Sequence, residues 1–494
     1  MNIVVSAANE GLEKLKDKAL LIGFLKDNLQ LKGEIKAFDS KFGNVISNFI
    51  SNSSFKGDKG ETKSIFLNKD IQNIIIVGLG EVKNYGIDVL SHVVADVSKR
   101  LRDSGIDTFS IHMDSFMNDS FSKEEAVHNL TMSITMGSYN FHEYKTKDRD
   151  KIKFIKEVKI VASGNFSKEI EKASVIADAV NKTRDLVNTP PNVASPEYVA
   201  NYATTLAKES GIKCTVLDEN QIKKLRMECF LAVAKGSHLE PKLLVLEYNG
   251  DKSKKPIALV GKGVTFDSGG LNLKPFPFMC NMKDDKGGAV ALIHVIAACA
   301  KLKLPVNLIV ITPLCENMPS GTSFRPDDVL KAYNGMTVEI KNTDAEGRLI
   351  LADALSYAAE KKPQAIIDVA SLTGASFIVL GTAGTPFVCT DENLSKRIKD
   401  ASAKSLEKTW EMPLWQEYEE SLKSEIADVK HIGDEGEAGV LTAAMFLKNF
   451  VADVPWIHID IGTTVWSKVD KGILTKGATG ATVRLLIEAL SDWK

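Results

Sequence analysis

Three short segments combine carboxylates, amines and glycines in a pattern suited to metal chemistry. Gly261-Lys262-Gly263-Val264-Thr265-Phe266-Asp267-Ser268-Gly269-Gly270 directly follows an apolar run, and Lys274 comes soon after it. Met282-Lys283-Asp284-Asp285-Lys286-Gly287-Gly288 is next, and Asn342-Thr343-Asp344-Ala345-Glu346-Gly347-Arg348-Leu349 lies further along. Each falls at a predicted junction of strand, loop and helix, where glycines let a backbone approach an ion closely. Asp267, Asp285, Asp344 and Glu346 each bring one negative charge, which two divalent cations would neutralise; without metal, such clustered carboxylates would repel and stay protonated. No Cys or His occurs in these segments, so the donors are hard oxygens that suit Mg²⁺, Mn²⁺ or Zn²⁺.

Other chemistries fit less well. Lys262 follows the first glycine after the strand, whereas a phosphate-cradling P-loop needs its lysine at the helix start. No GxSxG elbow occurs, so a serine hydrolase has no anchor. Gly78-Leu79-Gly80 lacks the third glycine of a dinucleotide fingerprint, since Lys83 stands there; it reads as a tight turn between strand and helix. Taken alone, the first segment would also be satisfied by a glycine-rich turn with a solvated Lys and Asp.

The elements that must position these residues follow from periodicity. Residues 1–165 alternate strand-like runs (Asn73 to Val77, Val158 to Ala162) with amphipathic segments such as Ile87 to Leu101, giving a small α/β domain. Residues 166–192 form a connecting helix, roughly Lys168 to Val187, and a joint that Pro190-Pro191 forces out of helix. In residues 193–494, strand-like Leu243 to Tyr248, Ile257 to Val260, Val306 to Ile311, Ala365 to Val369 and Trp456 to Ile461 alternate with helical Gly287 to Lys301, Leu349 to Lys361 and Gly439 to Phe450. That rhythm predicts a larger α/β domain with a mostly parallel central sheet flanked by helices.

Composition narrows the function classes. With 494 residues, 44% hydrophobic, and 62 Lys+Arg against 64 Asp+Glu, the chain can bury substantial cores and offers no net positive charge for nucleic acid or an anionic membrane. The six scattered cysteines read as free thiols in a reducing compartment. The first residues reach Glu10 before any Lys or Arg, a poor targeting segment, so a cytoplasmic location is expected.

GKGVTFDSGG, Lys274, Met282 to Gly288 and above all NTDAEGRL closely resemble the leucine aminopeptidase (cytosol aminopeptidase) family of dinuclear metallopeptidases. Arg184 to Asn188 with the two prolines, Glu316 to Gly321, Ser371 to Ala375 and Gly477 to Gly480 extend the resemblance from about Arg184 to the C-terminus. It implies that Lys262, Asp267, Asp285 and Glu346 hold one metal, and Asp267, Asp344 and Glu346 the other. Lys262 would ligate as the neutral amine. Lys274 and Arg348 match the catalytic positions: Lys274 would polarise the scissile carbonyl, and Arg348 would hold a bicarbonate serving as general base.

The same resemblance places Met282, Ser371, Leu372 and Gly374 around the substrate's first side chain. It implies removal of an N-terminal residue, preferably Leu or another bulky apolar one, from peptides with a free amine, in intracellular peptide turnover. It also implies a homohexamer built as a dimer of trimers, with no membrane or nucleic-acid partner. Departures occur at Asp284 and Lys286, at Phe276-Pro277-Phe278 and at Ser371, where relatives more often carry apolar, polar and threonine residues respectively; these are expected to touch the rim and the substrate pocket. His294, His431 and His458 are expected to pack or support rather than react. The rival readings are a silent assembly or nucleic-acid-binding protein, disfavoured because every expected ligand is present, and a two-metal phosphoesterase, which lysine ligation and NTDAEGRL do not favour.

Overall fold

A computed structural model describes residues 3–493 apart from 27, 68–70, 252 and 435. The chain forms two compact units, Met1–Asp178 with Val469–Thr475, and Ala179–Lys468 with Lys476–Lys494. The division falls within the helix Ser167–Asn188, which ends just before Pro190-Pro191.

In the first unit the strands lie in the order Val4–Ala8, Glu157–Val161, Thr108–His112, Ala19–Leu25, Asn73–Gly80, Thr62–Phe66, all parallel except the last. Apolar side chains of this sheet are buried in two cores, one with the helices Ile87–Asp103 and Lys123–Gly137 and the other with Gly33–Lys41 and Val45–Asn52. Lys123–Gly137 starts at a Ser122/Glu125 capping box, which satisfies two otherwise orphaned donors. Val469–Thr475 joins this unit through the Lys99–Asp470 ion pair and a 2.7 Å bond from Gly472 N to Asp96 Oδ1. Gly78-Leu79-Gly80, expected as a turn, instead completes the strand Asn73–Gly80. The glycine serves close approach there, because a Cβ on Gly78 would lie 2.2 Å from the Asp58 carbonyl oxygen.

The second unit's sheet runs Thr409–Glu411, Thr385–Cys389, Trp456–Asp460, Ala365–Ala370, Ile257–Gly261, Asn307–Asn317, Lys242–Asn249, Lys213–Leu217. Its four central strands are parallel, and antiparallel pairings lie outside them. Ile257–Gly261, Ala365–Ala370 and Trp456–Asp460 are buried throughout, which is why they read as continuous apolar runs rather than alternating ones. Two polar residues inside them pair across the sheet. Asp368 Oδ1 meets His458 Nδ1 at 2.6 Å, and Asp368 Oδ2 accepts from Trp456 Nε1 at 2.7 Å. The strand expected to end at Ile311 continues through Pro313 to Asn317. Gly261 to Gly270, expected at a junction of strand and loop, holds a further strand, Gly263–Asp267, parallel to the end of Asn307–Asn317. Both extensions matter, because they carry Asp267 and Asn317 to the same place.

Candidate metal centre

The carboxyl ends of the central parallel strands converge with two helix starts, the usual place for ligands in such sheets. Ile257–Gly261 ends at Lys262, and Gly263–Asp267 ends at Asp267. Asn307–Asn317 ends at Asn317, and Ala365–Ala370 leads into Ser371. Asp285 lies on the 3-10 turn Met282–Lys286 before the helix Gly287–Lys301. Asp344 lies on the turn Thr343–Ala345, and Glu346 and Arg348 occupy the first turn of Glu346–Glu360.

Lys262 Nζ is 2.7 Å from Asp285 Oδ1 and 2.9 Å from Glu346 Oε1. Lys274 Nζ is 2.8 Å from Asp267 Oδ2 and 2.5 Å from Asp344 Oδ1. Burial alone would strip the proton from Lys262, but Asp285, Glu346 and Asp267 outweigh it and raise the amine's pKa. Lys274 is raised in the same way, against burial, by Asp267, Glu346 and Asp344. Glu346, Asp285 and Asp344 are raised as well. Burial lifts Glu346 to about 8, with Asp267 adding to it, and lifts Asp285 and Asp344 above the ordinary range. In an isolated ion pair the acid would be lowered; here two ammonium groups face four carboxylates, so negative charge remains in excess.

That excess and the donor set fit divalent cations. Oxygens of Asp267, Asp344 and Glu346 lie within 4.8 Å of one another. Asp285 Oδ2 is buried without a hydrogen-bond partner among the described residues. Asp285, Asp267, Asp344, Glu346 and the Lys262 amine could therefore hold metal. The sequence-predicted ligands and Lys274 are thus brought together.

Arg348 sits beside this cluster, buried, with its guanidinium lowered to about 10 by burial. Its Nη1 donates to the His431 carbonyl at 2.7 Å, and its buried Nε has no partner among the described residues. Ser371 Oγ donates to Asp285 Oδ1 at 2.8 Å, and the Ser371 carbonyl accepts from Lys262 Nζ at 2.9 Å. Leu372 is half-buried against the main core, Met282 is half-buried, and a Cβ on the exposed Gly374 would meet nothing within 4 Å.

One expectation needs correction. Asp284 and Lys286 are not on the rim. Both are buried, and Lys286 Nζ donates to the carbonyls of Val187, Thr189 and Lys283. Phe276 and Phe278, by contrast, are largely exposed.

The residues that hold the ligands carry no motif of their own in the sequence. Asn317 Nδ2 donates to Asp267 Oδ1 at 2.9 Å and to the Thr343 carbonyl at 3.0 Å, tying two of the segments together. Asp460 accepts from the Leu372 backbone N–H and the Thr373 hydroxyl, fixing the loop after Ser371. The available signal was a polar residue at the carboxyl end of an apolar strand in each case.

A family model described as "Cytosol aminopeptidase family, catalytic domain" matches residues 181–487, and one described as its N-terminal domain matches residues 21–148. The chain belongs to the cytosol aminopeptidase family. Among curated relatives, a probable cytosol aminopeptidase of Alkaliphilus metalliredigens is 38% identical over 489 residues, covering 97% of each chain. One of Geobacter sulfurreducens is 38% identical over 481 residues, covering 96% of each. Among solved structures, a mutant of tomato leucine aminopeptidase superimposes with a TM-score of 0.88 at 30% identity, covering 99% of this chain and 96% of that one. The bottromycin maturation enzyme BotP in complex with Mn gives 0.84 at 30% identity, covering 96% of this chain and 99% of that one. As a cytosol aminopeptidase family member, the chain is a metal-dependent aminopeptidase with the expected two α/β domains.

Proposed function

We propose that the enzyme removes the N-terminal residue, preferably Leu or another bulky apolar one, from peptides with a free amine, using two divalent cations. Mn²⁺ or Zn²⁺ is the expected pair, with Mg²⁺ admissible for so oxygen-rich a donor set. Lys262, Asp267, Asp285 and Glu346 would hold one ion, and Asp267, Asp344 and Glu346 the other. Such a pair, when bound, supplies an activated water at neutral pH and clamps the reacting oxygens. The observation that carries this reading is the convergence of four carboxylates and two lysines with unbalanced negative charge.

The chain's own residues do the rest. Lys274 is held by Asp267 and Asp344, and its ammonium would bind the scissile carbonyl and stabilise negative charge there. Arg348, with one donor committed to the His431 carbonyl and Nε unpartnered, can hold a small anion such as bicarbonate as proton acceptor. Ser371 donates to Asp285 and so would orient it, while Met282, Leu372 and Gly374 would form the receptacle for the first side chain. Burying a leucine there contributes about 1.5–3 kcal/mol, a preference over Gly of about ten- to a hundred-fold.

The enzyme is proposed to work in the cytoplasm in peptide turnover, as a homohexamer of two trimers; no helix among the described residues is long and apolar enough to cross a membrane. The deciding experiment measures metal content and hydrolysis of a leucyl anilide on one preparation before and after chelation. Activity should vanish and return with Mn²⁺ or Zn²⁺, and full activity in metal-free protein would refute the reading.

A further inference from the structure

The helix Ser167–Asn188 ends against two prolines, and that ending leaves carbonyls to be satisfied. Another turn of helix would bond the Leu186 and Val187 carbonyls to the N–H groups of residues 190 and 191, but Pro190 and Pro191 have none. The donor for Val187 comes from far along the chain. Lys286 Nζ lies 3.3 Å from the Val187 carbonyl oxygen and 3.3 Å from that of Thr189. Beside it, Lys283 Nζ donates to the Asn188 carbonyl at 2.7 Å. Two amines of the turn Met282–Lys286 thus bind three successive carbonyls at the end of the helix, where its dipole favours positive charge.

Lys286 also closes its own turn. Its Nζ donates to the Lys283 carbonyl at 2.6 Å, so one group both spans the turn and ties it to residues 187–189. Local structure gives no reason for a lysine at this place. Residue 286 is the N-cap of the helix Gly287–Lys301, the end that disfavours a cation, and its side chain is fully buried. Between the two lysines in sequence stands Asp285, whose Oδ1 is 2.7 Å from Lys262 Nζ and accepts from Ser371 Oγ at 2.8 Å. Those contacts orient the carboxylate, and the two lysines hold the backbone that carries it.

We infer that Lys286, assisted by Lys283, is a positioning residue for Asp285: it anchors the turn Met282–Lys286 to the end of the helix Ser167–Asn188 and so sets the affinity of the one cation that Asp285 would hold. The inference rests on the reading of Asp285 as a metal ligand. Because Asp285 is assigned to only one of the two ions, loss of the anchor should act on that ion and spare the other.

The test is titration of the metal-stripped full chain with Mn²⁺, the free ion being counted by electron paramagnetic resonance. Asp285→Ala should weaken one of two ions; two ions bound as in the wild type would overturn the metal-ligand reading itself. Lys286→Met should weaken that same ion about 10- to 100-fold. Added to Asp285→Ala, it should cost no more than about two-fold further, because it acts through that carboxylate. Lys283→Met, at a half-buried position, removes the bond to Asn188 and should weaken the same ion about three- to ten-fold, which decides the matter where Lys286→Met fails to fold. With Asp285→Ala behaving as expected, wild-type affinity in Lys286→Met or Lys283→Met, equal weakening of both ions, or full additivity with Asp285→Ala would overturn the inference.

Discussion

Gly347 leaves the space through which Lys262 reaches the carboxylates: a Cβ at position 347 would lie 2.6 Å from Lys262 Cε and 2.7 Å from its Nζ. Lys262 is 3% exposed and cannot swing aside. Gly347→Ala should therefore displace the amine while leaving all four carboxylates in the chain. Metal affinity is expected to fall about 10- to 100-fold, the scale for disturbing a ligand's support, and a metal-buffered titration would show it. Unchanged affinity would mean that the amine does not bind metal.

Asn317→Leu tests whether the carboxylates need their positioning bonds. It removes donors to Asp267 and Thr343 without changing net charge. Metal affinity should again drop about 10- to 100-fold, with secondary structure by circular dichroism unchanged. Wild-type affinity in a folded variant would show that Asn317 only fills space.

The two lysines should fail differently. Lys262→Ala removes a donor from the cation site and should lower metal content. Lys274→Ala should leave metal content intact and cut kcat about 10²- to 10³-fold, as for one lost oxyanion donor. Elemental analysis and single-substrate kinetics on both variants separate these outcomes; equal metal loss would contradict the assignment.

His431 should make the catalytic unit sensitive to acid. Burial, with the Arg348 charge added, pushes its pKa down to about 3, so the folded state resists a proton that the unfolded chain accepts near 6.5. Its stabilising contribution is complete above about pH 6.5 and is lost as pH falls towards about 3, at about 1.4 kcal/mol per pH unit. Between pH 7 and pH 5 that is about 2 kcal/mol. Urea unfolding at the two pH values should show that difference shrinking in His431→Gln, and an identical pH slope in the variant would sink the argument.

Amine recognition predicts that acetylation destroys a substrate. Leu peptides should be cleaved, Gly peptides about ten- to a hundred-fold more slowly, and Asp peptides poorly, because a carboxylate would enter an apolar receptacle. Comparable cleavage of N-acetyl-Leu peptides at the same metal concentration would count against it.

The amino-acid sequence determined the chemical inventory and most of the scaffold. Asp267, Asp285, Asp344 and Glu346 announce themselves because carboxylates beside glycines at the ends of apolar runs have few other uses. Runs such as Ile257 to Val260 and Ala365 to Val369 mark buried parallel strands because both their faces are apolar. Tertiary structure decided what local pattern does not encode. Asp267 and Asn317 meet only because Gly263–Asp267 pairs with the end of Asn307–Asn317 beyond Pro313, a long-range register that periodicity cannot show. Lys286 looks like a surface charge in the chain, yet it is buried because carbonyls of Val187, Thr189 and Lys283 converge on its ammonium. Burial and hydrogen-bond satisfaction are properties of the assembled neighbours, so a residue's type sets what it can do and the fold sets whether it does it.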